Sequence, residues 1–139
     1  MRSRSRFKAI NAIHRIVLRV SGGRLGWTAD GMPVLELTTA GRKSGRPHSV
    51  MLTSPLQQGA VIVVVASGGG DRTPPAWFLN LSDNPDVGVR MRGDLKQKMR
   101  GRVATPAERE RLWPLVIADH NNYANYQSRT TREIALALL

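Results

Sequence analysis

The sequence predicts a mainly β fold with flanking helices, of the α+β class, in which antiparallel strands form a closed or split β-barrel. Three observations predict it. Apolar residues alternate with a period of two through 33–66 and again through 87–103, with glycine- and proline-bearing turns between the runs. Helical periodicity is confined to shorter stretches. The 139 residues include no cysteine, yet a chain of this length buries about two-thirds of its surface and needs no disulfide to hold one core. No internal repeat or linker interrupts residues 1–139, so a single domain is expected.

The elements follow in order. Phe7, Ile10, Ile13, Val17 and Val20 form one stripe of a helix over about 4–20. Arg6, Lys8, Arg15 and Arg19 mostly lie off that stripe. Such a helix either docks on its own core or lies on an anionic membrane surface. Ser21-Gly22-Gly23 stops it, and 23–31 reads as a connecting loop. Val34 to Thr39 is a strand, Gly41 and Gly45 bracket a basic turn, and Ser49 to Thr53 returns. Gln57-Gln58-Gly59 is the next turn. Ala60 to Ala66 is an apolar, β-branched strand buried on both faces, broken by Ser67-Gly68-Gly69-Gly70. Pro75, at the first helical position, starts a short helix over 76–82, which Asn84-Pro85 ends. Residues 87–103 form a hairpin about Gly93-Asp94, apolar on one face and basic on the other. That basic face is either simply solvated or a polyanion surface. Thr105-Pro106-Ala107-Glu108 is a capping box opening a helix to about His120, disturbed at Pro114. Residues 121–126 are irregular or a single helical turn, and Arg132 to Leu139 is the last strand.

Composition narrows the chemistry. Lys plus Arg is 21 against 10 acids, a net charge of +11. A polyanionic partner is implied: nucleic acid, anionic lipid or a phosphorylated cofactor. Without cysteine there is no thiol catalysis, Cys-ligated zinc or Fe–S cluster. The isolated His14, His48 and His120 offer no metal-ligand spacing. Lys43-Ser44 is preceded by Arg42 rather than glycine, so it is not a P-loop, and no Rossmann glycine pattern or G-x-S-x-G elbow occurs. No apolar run approaches membrane-spanning length and no signal peptide is evident, so a cytoplasmic location is expected.

Two anion-friendly turns remain. Gly41-Arg42-Lys43-Ser44-Gly45-Arg46 presents three cations, a hydroxyl and flexible backbone amides. Ser67-Gly68-Gly69-Gly70 follows a buried strand and lets backbone approach a flat ligand, if it is more than a flexible loop. Turns on neighbouring antiparallel strands can share one groove.

Around these turns the chain resembles the deazaflavin-dependent nitroreductases, also called coenzyme F-420-dependent quinone reductases. The likeness lies in Leu37-Thr38-Thr39-Ala40-Gly41-Arg42-Lys43-Ser44-Gly45-Arg46-Pro47 and Val64-Val65-Ala66-Ser67-Gly68-Gly69. It continues in Pro75-Ala76-Trp77-Phe78-Leu79-Asn80-Leu81, Asn84-Pro85, Tyr123-Ala124-Asn125-Tyr126-Gln127, Arg129 and Arg132. The blocks keep the family's order and spacing from about residue 33 onward.

The resemblance implies a split β-barrel of the flavin-reductase and pyridoxamine-phosphate-oxidase type. It implies coenzyme F-420 as cofactor, a reduced 8-hydroxy-5-deazaflavin with a phospholactyl-polyglutamate tail. By the same resemblance, Arg42, Lys43, Ser44, Arg46 and His48 hold the anionic tail. Val50, Met51 and Leu52 underlie the ring, and Val65, Ala66, Ser67 and Gly68 cradle its other edge. Ala76, Trp77 and Asn80 complete the cofactor pocket. Thr53, His120, Tyr123 and Tyr126 are the substrate-side residues, with Ser67, Tyr123 and Tyr126 as candidates to donate a proton or bind a developing anion. Family members often carry lysine at Gly68 and tyrosine at Thr53 and His120, so these positions depart from the pattern.

The implied reaction is hydride transfer to an activated alkene, quinone or nitroaromatic, which needs neither metal nor cysteine. The expected partner is a small hydrophobic electron acceptor. An anionic membrane surface is a second expected partner of residues 1–20, which would place the protein peripherally on the inner face of the cell membrane. Nucleic acid is not an expected partner, since aromatics are only 5% of residues and no nucleic-acid fold signature occurs. The alternatives are an FMN-binding oxidoreductase or carrier on the same barrel and, further off, a basic nucleic-acid module. Monomer and homodimer both remain open.

Overall fold

A computed structural model describes residues 28–29, 31–91 and 94–139. The helix expected at 4–20, and with it the membrane-facing stripe, lies outside the described residues. β2 (Met32–Ala40) organises the first sheet. Its alternation buries Leu35 and Leu37 completely. It is paired on both sides, with β3 (Pro47–Thr53) and with β6 (Asp86–Met91). β1 (Thr28–Ala29) pairs at the start of β2, and β7 (Gln97–Arg100) extends the sheet beyond β6. The second sheet has the order β4 (Leu56–Gln58), β5 (Val61–Val65), β9 (Leu136–Leu138), β8 (Arg102–Val103). Every pairing is antiparallel. Three helices flank the sheets: α1 (Ala76–Asp83), α2 (Pro106–Asp119) and α3 (Asn122–Ser128). This is the expected split barrel.

β5 shows why the two sheets and the helices hold together. Ile62 and Val64 point into the barrel interior, where they meet Leu35, Leu37, Val87 and Val89 of the first sheet and Trp77 and Leu81 of α1. Val63 and Val65 point outward under Leu112 and Val116 of α2 and Tyr123 of α3. From Ile62 to Val65 both faces of β5 are buried, which is why that run is continuously apolar, while Ala60 and Val61 at its start are exposed rather than buried as expected. Each such side chain stabilises the fold by about 1.5–3 kcal/mol relative to exposure. Ser54 closes the gap between the sheets: its backbone N–H donates to Pro33 and its hydroxyl to the carbonyl of Val63.

Several boundaries differ from expectation. The return strand of the hairpin is not continuous to residue 103. It breaks at Gly101 into β7 and β8, which belong to different sheets. A Cβ at Gly101 would stand 2.6 Å from Leu81 Cδ1, so the chain passes against α1 where no side chain fits. Residues 56–58 form a short strand rather than a turn. Residues 122–128 form a helix, α3, where a single turn or irregular chain is expected. Pro75 is the N-cap of α1 rather than its first helical residue. The last strand is shorter than 132–139, because Arg132 and its neighbours serve the loops described below.

The capping box forms. Thr105 Oγ1 accepts from the Glu108 N–H at 3.2 Å, and Glu108 Oε1 accepts from the Thr105 N–H at 2.9 Å. Arg102 forks onto the same carboxylate at 2.6 and 2.7 Å. These bonds, the Arg102 guanidinium's first, lower the Glu108 pKa to about 2. A depressed carboxylate stabilises the fold above its unfolded pKa of about 4.5, and this is lost as pH falls toward about 2. Glu108→Gln is therefore expected to remove a pH-dependent part of stability between those values. Thermal unfolding at pH 7 and pH 3 checks it: the destabilisation should be larger at pH 7. An equal loss at both values contradicts the assignment.

Candidate active site

A cleft of about 760 Å³ opens beside β3, between the 41–46 turn, the 67–75 segment and α3. That size suits a drug-sized or cofactor-sized ligand. His48, Ser49, Val50, Met51, Leu52 and Thr53 all line it. Successive strand residues point to opposite faces, so a cleft touching six in a row views β3 edge-on, backbone included. Met32, Val34 and Val65 add apolar wall, and Arg42, Lys43, Ser44 and His48 make one end cationic and polar.

The basic turn is built to hold its shape. The Gly41 N–H donates to the Arg46 carbonyl at 2.8 Å, and the Gly45 N–H to the Gly41 carbonyl at 2.7 Å. Gly45 takes φ +72°, the left-handed region. A Cβ at Gly41 would lie 2.7 Å from His48 Nε2 and 2.8 Å from Ser44 Oγ, so glycine lets the turn close on itself. Asn80 then ties the turn to the barrel. Its Oδ1 accepts from the Arg42 backbone N–H at 3.2 Å and from Arg42 Nη1 at 3.3 Å. Its Nδ2 donates to Thr39 Oγ1 at 3.1 Å. Asn80 and Thr39 are both buried, so their bond is shielded from water, while the two bonds to the exposed Arg42 are only partly buried.

On the opposite lip, Gly68, Gly69 and Gly70 have φ of +52°, +70° and +86°. Such a run is open only to glycine at low cost. It swings the chain from β5 toward α3, where a Cβ at Gly70 would meet the Tyr126 carbonyl at 2.7 Å. Ser67 and Gly68 line the cleft. Ser67 is nearly buried, and its hydroxyl makes no hydrogen bond among the described residues. Arg132 grips the loop from behind, donating Nε to the Asp71 carbonyl at 2.9 Å, Nη1 to the Ala66 carbonyl at 3.2 Å and Nη2 to the Ser67 carbonyl at 2.9 Å.

The third wall comes from α3. Tyr123 is buried, with its hydroxyl 3.1 Å from Thr53 Oγ1 and 3.5 Å from Met32 Sδ. Tyr126 stands edge-to-face with it at 6.1 Å and is the more exposed of the two. The Tyr123 hydroxyl thus braces β2 and β3 as well as facing the cleft.

Of the residues expected at the site, Arg42, Lys43, Ser44, His48, Val50, Met51, Leu52, Thr53, Val65, Ser67, Gly68, Ala76, Trp77, Asn80, Tyr123 and Tyr126 line the cleft. Three do not. Arg46 is exposed on the far side of the turn, where its N–H donates to Ser44 Oγ. Ala66 is fully buried and packs in the barrel interior. His120 caps α2, and its carbonyl accepts the Tyr123 N–H at 3.3 Å. Residues not expected include Met32, Val34, Ser49, Asp71, Thr73, Pro75 and Asn122. Two of these carried a signal: Ser49 lies between expected residues on an edge-on strand, and Pro75 opens one of the family-like blocks. Arg132 belonged to the family-like blocks but had no assigned role.

Fold and cleft together define a class: a split-barrel protein whose slot is apolar along its length and cationic at one end. The F420H(2)-dependent quinone reductase family model matches residues 11–139. The F420H(2)-dependent quinone reductase Rv1261c of Mycobacterium tuberculosis is 36% identical over 131 residues, covering 91% of this chain and 87% of that protein. A solved F420-H2 dependent reductase, FDR-A, superposes with a TM-score of 0.66 at 34% identity, covering 76% of this chain and 92% of the other. A second solved structure, described as a domain-swapped dimer, gives a TM-score of 0.67 at 31% identity, covering 89% and 97% of the two chains. The chain belongs to the F420H(2)-dependent quinone reductase family.

Proposed function

We propose that this protein uses reduced coenzyme F-420 to reduce quinones and related activated C=C compounds, with nitroaromatics as further acceptors. The observation that carries this reading is the pairing of a cationic turn with an apolar, edge-on strand in one cleft. The residues fit the cofactor's chemistry. Three cationic or hydroxyl groups at 42–44 suit a tail of phosphate and several carboxylates. The β3 edge and Val65 suit a flat ring, and the glycine lip leaves room for close approach. FMN has one phosphate and would use only part of that rim.

When bound, the reduced deazaflavin supplies a hydride to the acceptor. The chain's own part is to bind, orient and exclude water. Val50, Leu52, Val65 and Trp77 keep the slot apolar. Arg42, held by Asn80, fixes one end of the ligand. Reducing a quinone to a hydroquinone takes a hydride and a proton, and the proton has three sources: the Ser67 hydroxyl, the Tyr126 or Tyr123 phenol, or water. The Ser67 hydroxyl is poised to hydrogen-bond an oxygen that gains charge. Tyr123 already shares a hydrogen bond with Thr53, which favours Ser67 over it. The test is spectroscopic: mixing the protein with reduced coenzyme F-420 and a panel of quinones, enones and nitroaromatics should oxidise the cofactor. No oxidation with any member overturns the reading.

Residues 1–20 carry Arg2, Arg4, Arg6, Lys8, Arg15 and Arg19 with no acid, beside a helical apolar stripe. This supports a peripheral hold on an anionic membrane, where lipid-soluble quinones reside. Among the described residues no helix is long and apolar enough to cross a membrane. Removing residues 1–20 is expected to abolish co-sedimentation with anionic vesicles while reduction of a soluble quinone persists. Undiminished co-sedimentation refutes the anchor.

A further inference from the structure

We propose that Arg132 is a positioning residue for the cofactor site: it sets the Ala66–Asp71 lip without touching the ligand. The inference rests on the cofactor reading above. Arg132 does not line the cleft, yet its guanidinium donates to the carbonyls of Ala66 and Ser67 before the glycine run and of Asp71 after it. The Ser67 carbonyl also accepts the Gly70 N–H at 2.8 Å, so that peptide is held from both sides. A segment of three left-handed glycines has almost no conformational preference of its own and loses the most entropy when ordered. Something outside the loop must choose its shape. A planar fork with fixed N–H directions can satisfy three carbonyls at once, and a lysine ammonium on a flexible stem cannot do so in the same geometry.

The clamp is itself held. Gln127 Nε2 donates to the Arg132 carbonyl at 2.7 Å, while Gln127 Oε1 accepts from the Ile134 N–H at 2.8 Å and from Arg109 Nη2 at 3.2 Å. Arg109 stacks over Trp113 of α2 at 4.4 Å. The chain of contacts runs from α2 through α3 to the lip, so the lip is referenced to α3, which carries the tyrosine wall, and to α2 behind it.

The claim separates geometry from charge. Arg132→Met removes both, and Arg132→Lys keeps the cation beside Asp71 while removing the fork. Both variants are expected to raise the dissociation constant of coenzyme F-420, measured by fluorescence titration, about tenfold or more, the effect of losing one charge-assisted bond's worth of ordering. Arg132→Gly, which removes the whole side chain, should lose affinity likewise, and millimolar methylguanidinium should recover part of that loss while leaving wild-type binding unchanged. Unfolding midpoints measured alongside correct for the folded fraction. If Arg132→Met does not fold, Arg132→Lys carries the test. Wild type that binds coenzyme F-420 and variants that bind it equally well overturn the positioning role and leave the cofactor reading standing. Wild type that fails to bind overturns the cofactor reading instead.

Discussion

Replacing Arg42 and Lys43 together by alanine is expected to weaken binding of coenzyme F-420 by about a hundredfold. Each residue offers a charge-assisted bond to an anionic tail, worth about 1.5–3 kcal/mol in a protected setting. Both side chains are exposed, so the lower end applies, and about 1.4 kcal/mol per residue is tenfold in affinity. The same exposure predicts that wild-type binding weakens as salt is raised and that the double variant responds less. Arg46→Ala is the control. It removes one charge from the same turn where the double variant removes two, but Arg46 does not line the cleft. Its effect should be well under tenfold. An Arg46→Ala loss of about tenfold, matching the per-charge loss of the double variant, would mean that the net charge of the turn, not the cleft geometry, attracts the tail.

The second large effect is on folding. Gly70→Ala is expected to destabilise the protein by about 2–5 kcal/mol. A non-glycine residue at φ +86° costs about 1–2 kcal/mol by itself. The new Cβ would also stand 2.7 Å from the Tyr126 carbonyl and 3.0 Å from Arg129 Cβ, and overpacking of that kind costs about 1–3 kcal/mol more. The blocking atom is backbone of α3, so no rotamer change relieves it. Gly68→Ala isolates the conformational part. Its Cβ would meet nothing closer than 3.8 Å, so only the cost of φ +52° remains, about 1–2 kcal/mol. Urea unfolding of the two variants tests the difference. Equal destabilisation would show that the contact with α3 is soft. A Cβ at Gly68 thus meets backbone strain but no steric block.

The strands were largely legible because alternation is local. Leu35 and Leu37 against Glu36, and the uninterrupted apolar run of β5, state directly which faces are buried. The capping box of α2 was legible for the same reason: Thr105 and Glu108 are three residues apart and complete each other. The break at Gly101 was not. Its cause is contact with Leu81 and Leu139, neither adjacent in sequence. α3 escaped periodicity because it is short and mostly polar, with only Tyr123 buried.

The site divides in the same way. A turn with three cations reads as an anion site from sequence alone. Which of its cations face the cleft depends on Asn80, 38 residues away, which holds Arg42 by backbone and side chain and leaves Arg46 outside. The Arg132 clamp spans 66 residues to Ala66, and no local pattern could announce it.

By itself, then, the sequence determined most of the strands and their inward faces, the basic turn, the glycine-rich turn after β5 and the family. Tertiary structure alone decided where the hairpin changes sheets, which side chains share the cleft, and which group holds the lip in place. The physical reason is range. Alternation and capping act between residues a few positions apart. A cleft is made where distant strands and helices pack, and its polar contacts follow from that packing.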